Sequence, residues 1–161
     1  MRLLFIRHAI ALPATGDMRD EERPLSPEGK RRFEQVGRKL AQVAPHPVAI
    51  LTSPLLRARQ TAAIAASAWG GIRPVVVPAL ADGDWPGISR ALAAYEGKST
   101  IALVGHETWL STLTARLLDS RDRRAFDYRK GGTALIEVEN LQACKGALLW
   151  FMPPRVLRRM E

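Results

Sequence analysis

The chain has 161 residues, 47% of them hydrophobic, and this size and composition predict one globular domain spanning residues 1–161. Its 24 lysines and arginines outnumber its 16 aspartates and glutamates, for a net charge of +8. Because the basic residues are scattered and are not interleaved with aromatic residues, this charge does not indicate nucleic-acid binding. The apolar runs of the sequence are too short to span a bilayer, so neither a nucleic acid nor a membrane is an expected partner.

The first 45 residues predict a strand, a loop and a helix. Residues 3–6 are an apolar run typical of a buried strand. Prolines, a glycine and several charges over residues 9–26 predict a loop. Ser26 followed by Pro27 signals a helix start, because serine can cap the first turn and proline fits into it. Phe33 and the apolar residues that follow at helical spacing predict the buried face of this helix.

Strands and helices continue to alternate up to about residue 118. The predicted elements are a strand at 48–51, a helix at 55–69, a strand at 75–77, a loop at 78–86, a helix at 88–95, a strand at 99–104 and a helix at 108–118. Ser53 before Pro54 is interpreted as the cap of the second helix. The alternation predicts a mostly parallel sheet covered by helices on both faces.

The pattern changes after residue 121. Residues 133–138 and 147–152 predict two strands joined by a turn near 140–146, and no helix lies between them. Strands connected in this way pair antiparallel. The predicted fold is therefore α/β, a three-layer α/β/α arrangement with a mostly parallel sheet and an antiparallel C-terminal strand pair.

Three predicted strands end in residues of distinctive chemistry. Arg7 and His8 follow the first strand, Arg57 lies just beyond the second, and His106 follows the fourth. Ligands of parallel α/β sheets bind beyond the carboxyl ends of the strands. We therefore expect two histidines and two arginines at one edge of the sheet.

These residue types suit phosphoryl transfer. Neutral imidazole is a nucleophile near pH 7, because the ordinary histidine pKa is about 6.5. Arginine binds phosphate oxygens through a planar fork of donors, and helix N-termini can add backbone donors. A protonated second histidine can donate to the same oxygens. Catalysis of this reaction depends on such placed positive groups.

The motifs resemble those of the histidine phosphatase superfamily. The matching segments are Arg7-His8-Ala9 for an Arg-His-Gly-type signature, residues 22–29 before the first long helix, residues 53–62, and Val104-Gly105-His106-Glu107. Ala9 departs from the glycine common in the wider superfamily, but its side chain is small enough for phosphate to approach. Within the superfamily, the short chain and residues 130–134 and 153–157 are similar to the SixA-type phosphohistidine phosphatases.

The resemblance implies a role for each matched position. His8 is the implied phosphoryl acceptor, and Arg7, Arg57 and His106 bind the phosphoryl oxygens. Lys130 is a substrate-binding candidate at the pocket rim. No metal ion or other cofactor is implied. The implied partner is a phosphorylated substrate, in particular a protein that carries phosphohistidine, and the implied activity is that of a metal-independent phosphohistidine phosphatase.

The general acid is less clearly marked. Superfamily members that act on esters usually carry an acidic residue after the third strand, where this chain offers Asp82 and Asp84. Both are interpreted first as turn residues, because aspartate is common in turns. A weak acid position favours phosphohistidine over esters, since imidazole leaves with less help from a proton donor than an alkoxide does.

Two alternatives remain open from the sequence. One is a phosphatase or mutase of small phosphate esters. The other is a non-catalytic domain that binds phosphate or nucleic acid. The cytoplasm is the expected location, because the single cysteine, Cys144, cannot form an internal disulfide and charged residues interrupt the N-terminal apolar stretch.

Overall fold

A computed structural model describes residues 1–95, 97 and 99–160. The strands are β1 (Arg2–Arg7), β2 (Ala49–Thr52), β3 (Val75–Val76), β4 (Thr100–Gly105), β5 (Thr133–Asn140) and β6 (Lys145–Met152). The helices are α1 (Pro27–Val43), α2 (Leu56–Ala68), α3 (Trp85–Ala93), α4 (Trp109–Leu117) and α5 (Pro154–Arg159). Short 3₁₀ turns occupy Asp20–Glu22, Pro78–Leu80 and Arg123–Phe126.

The strands form one mixed sheet in the order β3-β2-β4-β1-β5-β6. The first four strands in this order are parallel, whereas β5 pairs antiparallel with both β1 and β6. The predicted α/β fold with an antiparallel C-terminal strand pair is confirmed. The two central strands, β1 and β4, are the ones that deliver His8 and His106 to the same edge.

Helices cover both faces of the sheet. On one face, Phe33 of α1 and Ala62 of α2 pack in a core with Leu4 of β1. On the other face, Leu110 of α4 packs with Leu3 of β1. Because successive side chains of a strand point to opposite faces, β1 contributes to both cores, which explains its uninterrupted apolar sequence.

Two helix starts differ from the sequence prediction. Helix α3 begins at Trp85 rather than 88, because the Asp84 side chain accepts a hydrogen bond from Gly87 N at 3.0 Å and so caps an earlier turn. The assignment of Ser53 as the cap of α2 is wrong. Leu55 occupies the N-cap position without a side-chain bond, and Ser53 is instead fully buried beside His106.

The start of α1 is as predicted and also touches the segment after His8. Ser26 Oγ accepts a hydrogen bond from Gly29 N at 2.9 Å, and Ser26 N donates to Ile10 O at 2.9 Å. A Cβ atom on Gly29 would lie 2.0 Å from Ile10 O, so only glycine fits there. None of the helices in the described ranges is long and apolar enough to cross a membrane.

This contact predicts different outcomes for two glycines of the same helix. Gly29→Ala should lower the free energy of unfolding by about 1–3 kcal/mol, because its methyl group displaces the backbone at Ile10. Gly37→Ala is the matched control, since the nearest atom to its Cβ would be 3.7 Å away. It should stabilise the protein by about 0.5–1 kcal/mol through helix propensity. Urea unfolding measures both, and equal effects of the two variants would contradict the prediction.

Candidate active site

Strand pairing gathers the candidate residues at the carboxyl edge of the sheet. Arg7 at the end of β1 is in register with Gly105 at the end of β4. His8 N then donates to Gly105 O at 2.9 Å, so the backbone itself places His8 next to His106. Ser53, the first residue after β2, reaches the same edge by donating its N–H to Val104 O at 3.0 Å.

The two histidine rings face each other. Their centroids lie 5.0 Å apart with an angle of 53° between the ring planes. Each residue is only 6% exposed. This separation is small enough for both rings to contact one phosphoryl group, as the sequence interpretation requires.

A backbone bond fixes the proton on the His8 ring. His8 Nδ1 lies 2.7 Å from Ala9 O, and a carbonyl oxygen can only accept, so Nδ1 carries the proton. The lone pair is therefore on Nε2. Thr61 of α2 holds this segment, because its Oγ1 accepts a bond from Ala9 N at 3.0 Å and donates to Arg57 O at 2.7 Å.

Burial keeps His8 neutral. Burial is the largest cause that lowers the pKa of His8, from 6.5 to about 3, and the nearby His106, Arg57 and Arg7 lower it further. The hydrogen bond to Ala9 O opposes this shift. A pKa near 3 leaves the imidazole unprotonated at neutral pH, which is the state a nucleophile requires.

His106 is held by the buried serine. Its Nε2 lies 2.8 Å from Ser53 Oγ. Burial first, and then Arg57, lowers the pKa of His106 to about 4, while Asp20 acts in the opposite direction. Desolvation and the neighbouring cations thus disfavour the protonated ring in the protein without a bound anion. The neutral ring still donates through one N–H group.

The two arginines are oriented by backbone carbonyls. Arg57 Nη1 donates to Asp20 O at 2.7 Å, and its Nη2 donates to Asp20 Oδ2 at 2.9 Å. Arg7 Nη1 donates to Tyr128 O. The fixed planes of both guanidinium groups leave further N–H donors for an anion.

Lys130 lies close to these cations. It is exposed, and partial burial together with the charges of Arg7, Arg23 and Arg57 lowers its pKa. The adjacent Gly131 N donates to the carbonyl oxygens of both Arg7 and His8 at 3.1 Å. This position is compatible with the rim role expected for Lys130, and that role stays a prediction.

Asp82 and Asp84 lie in the turn before α3. Both are exposed, and each carboxylate accepts a local backbone bond, Asp84 from Gly87 N and Asp82 from Asp84 N at 3.2 Å. These contacts agree with their interpretation as turn residues. The general-acid role of either carboxylate stays a prediction.

Three residues at the site received no role from the sequence. Asp20 binds Arg57, Thr61 supports Ala9, and Glu107 follows His106 with a carboxyl that accepts a bond from Ser111 Oγ at 2.7 Å. Burial is the main cause that raises the pKa of Glu107. Thr61 and Glu107 lie inside the quoted motifs, so their positions were a usable signal. Asp20 lies in a charged loop, and no sequence pattern there indicates its contact with Arg57.

Comparison with known proteins places this geometry in a family. The sequence model of the histidine phosphatase superfamily (branch 1) matches residues 3–94, more than half of the chain. The chain belongs to this superfamily. The matched segment includes His8 and Arg57, whereas His106 lies beyond it.

Individual proteins also resemble this chain. An uncharacterised protein of Picosynechococcus sp. is 36% identical over 137 residues, 82% of each chain. A structure of the protein histidine phosphatase SixA complexed with tungstate matches with a TM-score of 0.81 at 24% identity, covering 98% of this chain and 99% of that one. A protein of Agrobacterium tumefaciens that also carries the name SixA matches with a TM-score of 0.81 at 24% identity, covering 95% and 97%.

The same fold serves phosphatases of small molecules. Mycobacterial glucosyl-3-phosphoglycerate phosphatase matches with a TM-score of 0.72 at 16% identity, covering 94% of this chain and 98% of that one. At these identities the structural matches establish the fold. Superfamily membership and the SixA-like fold together support phosphatase activity, and they leave the substrate open.

The low pKa of His8 makes a direct prediction. At pH 5 the ring should remain neutral in the folded protein, whereas an ordinary histidine with a pKa of 6.5 is protonated there. Because the folded pKa lies below the unfolded one, this group contributes stability above pH 6.5 and loses it as pH falls towards 3. Nitrogen-15 NMR of the histidine rings, assigned with a His8→Gln variant, measures the titration. A His8 signal that titrates near pH 6.5 would contradict the prediction.

The contact between Ser53 and His106 makes a second prediction. Ser53→Ala should lower kcat/KM for a chromogenic phosphate ester by about tenfold, because losing a buried hydrogen bond costs about 1–1.5 kcal/mol. Ser67→Ala is the matched control, since it removes an exposed hydroxyl of α2 that donates to Ala63 O at 3.1 Å. Equal activity of the two variants would show that the serine does not orient His106.

Proposed function

We propose that the protein is a metal-independent phosphohistidine phosphatase that transfers the phosphoryl group to Nε2 of His8. The observation that carries this proposal is the bond between His8 Nδ1 and Ala9 O, which leaves the Nε2 lone pair on a neutral ring opposite His106. Arg7 and Arg57 bind the phosphoryl oxygens. His106 donates its Nε2–H to one of them by exchanging the bond to Ser53 Oγ for one to the phosphoryl oxygen, since its Nδ1 is buried.

In the first step, His8 Nε2 attacks phosphorus in line with the leaving group. A bond from Nε2 to phosphorus forms as the bond from phosphorus to the substrate nitrogen breaks, and the leaving imidazole nitrogen takes up a proton from water. Negative charge on the equatorial oxygens is stabilised by the guanidinium groups and by the His106 N–H. His8 Nδ1 keeps its proton on the side of Ala9 O, so the phosphorylated ring carries a positive charge that makes it a good leaving group.

In the second step, water attacks the phosphorylated His8. The bond from phosphorus to Nε2 breaks, the oxygen of water is released as part of inorganic phosphate, the proton that the water loses passes to solvent, and the neutral ring is restored. The two half-reactions give ping-pong kinetics. The positive charge for both steps comes from side chains and N–H groups, so the proposed chemistry needs no metal ion.

Protein-borne phosphohistidine is the proposed substrate. The carboxylates of Asp82 and Asp84 accept bonds within the turn before α3, which fits a reaction whose leaving imidazole needs little help from an acid. The likeness to structures named SixA supports the same substrate class. Tungstate bound to one of them is a tetrahedral oxyanion like phosphate.

Hydrolysis of small phosphate esters is the second candidate. The observation that favours it is Glu107, a half-buried carboxyl next to His106 whose pKa is raised by burial. A protonated carboxyl can supply the proton that an alkoxide leaving group needs. The glucosyl-3-phosphoglycerate phosphatase with the same fold agrees with this candidate.

A comparison of substrates tests the proposal. The purified chain is incubated with a peptide phosphorylated on histidine, with 3-phosphoglycerate and with a chromogenic phosphate ester, each with EDTA present. We expect the highest kcat/KM for the phosphohistidine peptide and a loss of about 10³-fold or more in His8→Ala, because removing a nucleophile abolishes the covalent route. A rapid quench with a ³²P-labelled substrate should place the label on His8.

The controls separate the candidates. His46→Ala removes the histidine of the loop after α1, which bonds Trp69 O and Pro47 O away from the sheet edge, and should keep full activity. Faster turnover of 3-phosphoglycerate would favour the ester phosphatase. Absence of turnover on every substrate, with tungstate still bound, would favour a phosphate-binding domain.

A further inference from the structure

Asp20 makes an unusual set of contacts at the mouth of the site. Its Oδ2 accepts from Arg57 Nη2 at 2.9 Å, and its backbone oxygen accepts from Arg57 Nη1 at 2.7 Å. Its other carboxylate oxygen, Oδ1, accepts from Arg23 Nη1 at 2.7 Å, and Arg23 Nε donates to Leu12 O at 2.8 Å. Asp20, an exposed residue of the loop after β1, thus accepts two hydrogen bonds from Arg57, a buried residue of α2.

These contacts fix the plane of the Arg57 guanidinium. The Arg57 side chain is 9% exposed, while that of Asp20 is 62% exposed, so the acid reaches inward from the surface. Arginine has a long side chain that loses rotamer freedom when it is held in one geometry. Because the Arg57 guanidinium is already held in one orientation, binding of the phosphoryl group costs less conformational entropy.

We propose that Asp20 is a positioning residue that holds the Arg57 fork in the orientation required to bind the phosphoryl oxygens. The proposal rests on the function proposed above, since it concerns the same anion site. Asp20 acts through Arg57, and it is not a catalytic residue.

Electrostatics show that Asp20 belongs to the site. The bonds from Arg23 and Arg57 lower the pKa of Asp20, so its carboxylate is ionised at neutral pH. Arg57 and Arg7 lower the pKa of His106, and Asp20 acts against them. Among the charged groups in the described part of the chain that shift the pKa of His106, Asp20 is the one with negative charge. Its carboxylate therefore lies within electrostatic reach of the reacting centre.

A double-mutant cycle on tungstate binding tests the proposal. The dissociation constant is measured by calorimetry for the wild type, Asp20→Ala, Arg57→Ala and the double variant. In the wild-type background, Asp20→Ala should weaken binding by about tenfold, because an arginine held only by the backbone oxygen of residue 20 must be ordered further on binding. In the Arg57→Ala background, the same change should not weaken binding further.

Two more variants separate the hydrogen bond of Asp20 from the negative charge of the loop. Asp20→Asn, whose amide oxygen can accept the Arg57 Nη2 bond, should weaken binding by less than about threefold. Glu21→Gln removes one charge from the same turn, where Glu21 pairs with Arg19 at 2.8 Å, and should leave binding unchanged. Circular dichroism checks the fold, and Asp20→Ser replaces the alanine variant in the cycle if that variant folds incompletely.

Each outcome decides the proposal. Loss of binding by Asp20→Ala that is equal in both backgrounds would mean general damage to the loop and would overturn it. An unchanged dissociation constant in the wild-type background would overturn it as well. Because tungstate binding needs no turnover, failure of the proposed function would appear as an inactive wild type and leave the cycle interpretable.

Discussion

The site depends on the parallel pairing of β1 with β4. This pairing aligns Arg7 with Gly105 and lets His8 N donate to Gly105 O, so two histidines that are 98 positions apart in the chain become neighbours. The strands are buried on both faces, and shifting their register would move apolar side chains out of both cores. The spacing of the two histidines is thus secured by strand pairing within the hydrophobic core.

The environment of the two rings follows from the same arrangement. The carboxyl edge of a covered sheet is partly shielded from water, and desolvation is the largest cause of the low pKa of both His8 and His106. The arginines add to the effect. The site therefore combines fixed positive charge with neutral imidazoles, which suits a dianionic group approaching a nucleophile. A bound dianion opposes the influence of the arginines, so His106 gains proton affinity when phosphate is present.

The sequence predicted the fold well, because its signals were local and repeated. Apolar runs, proline and glycine punctuation and the Ser26 cap marked most elements within a few residues of their observed bounds. Ser53 was misassigned because Ser-Pro is a general helix-start signal, and the competing partner, His106, is 53 positions away. The sequence did not indicate a role for Asp20 for a similar reason. Its bond to Arg57 joins a loop residue to a helix residue 37 positions away, and only the folded chain brings them together.

Position 9 supports the His8 ring and the segment after it through its backbone rather than its side chain. The groups that hold the His8 ring and the segment after it are the carbonyl and amide of residue 9, which every non-proline amino acid possesses. The methyl group of Ala9 is buried in the core beside α1 and α2, so the protein limits the volume at this position and not its identity. Glycine at this position would offer the same carbonyl to His8 Nδ1 and the same amide to Thr61 Oγ1. The side chain of a motif residue can therefore change without loss of the motif's hydrogen bonds, provided that the backbone makes them.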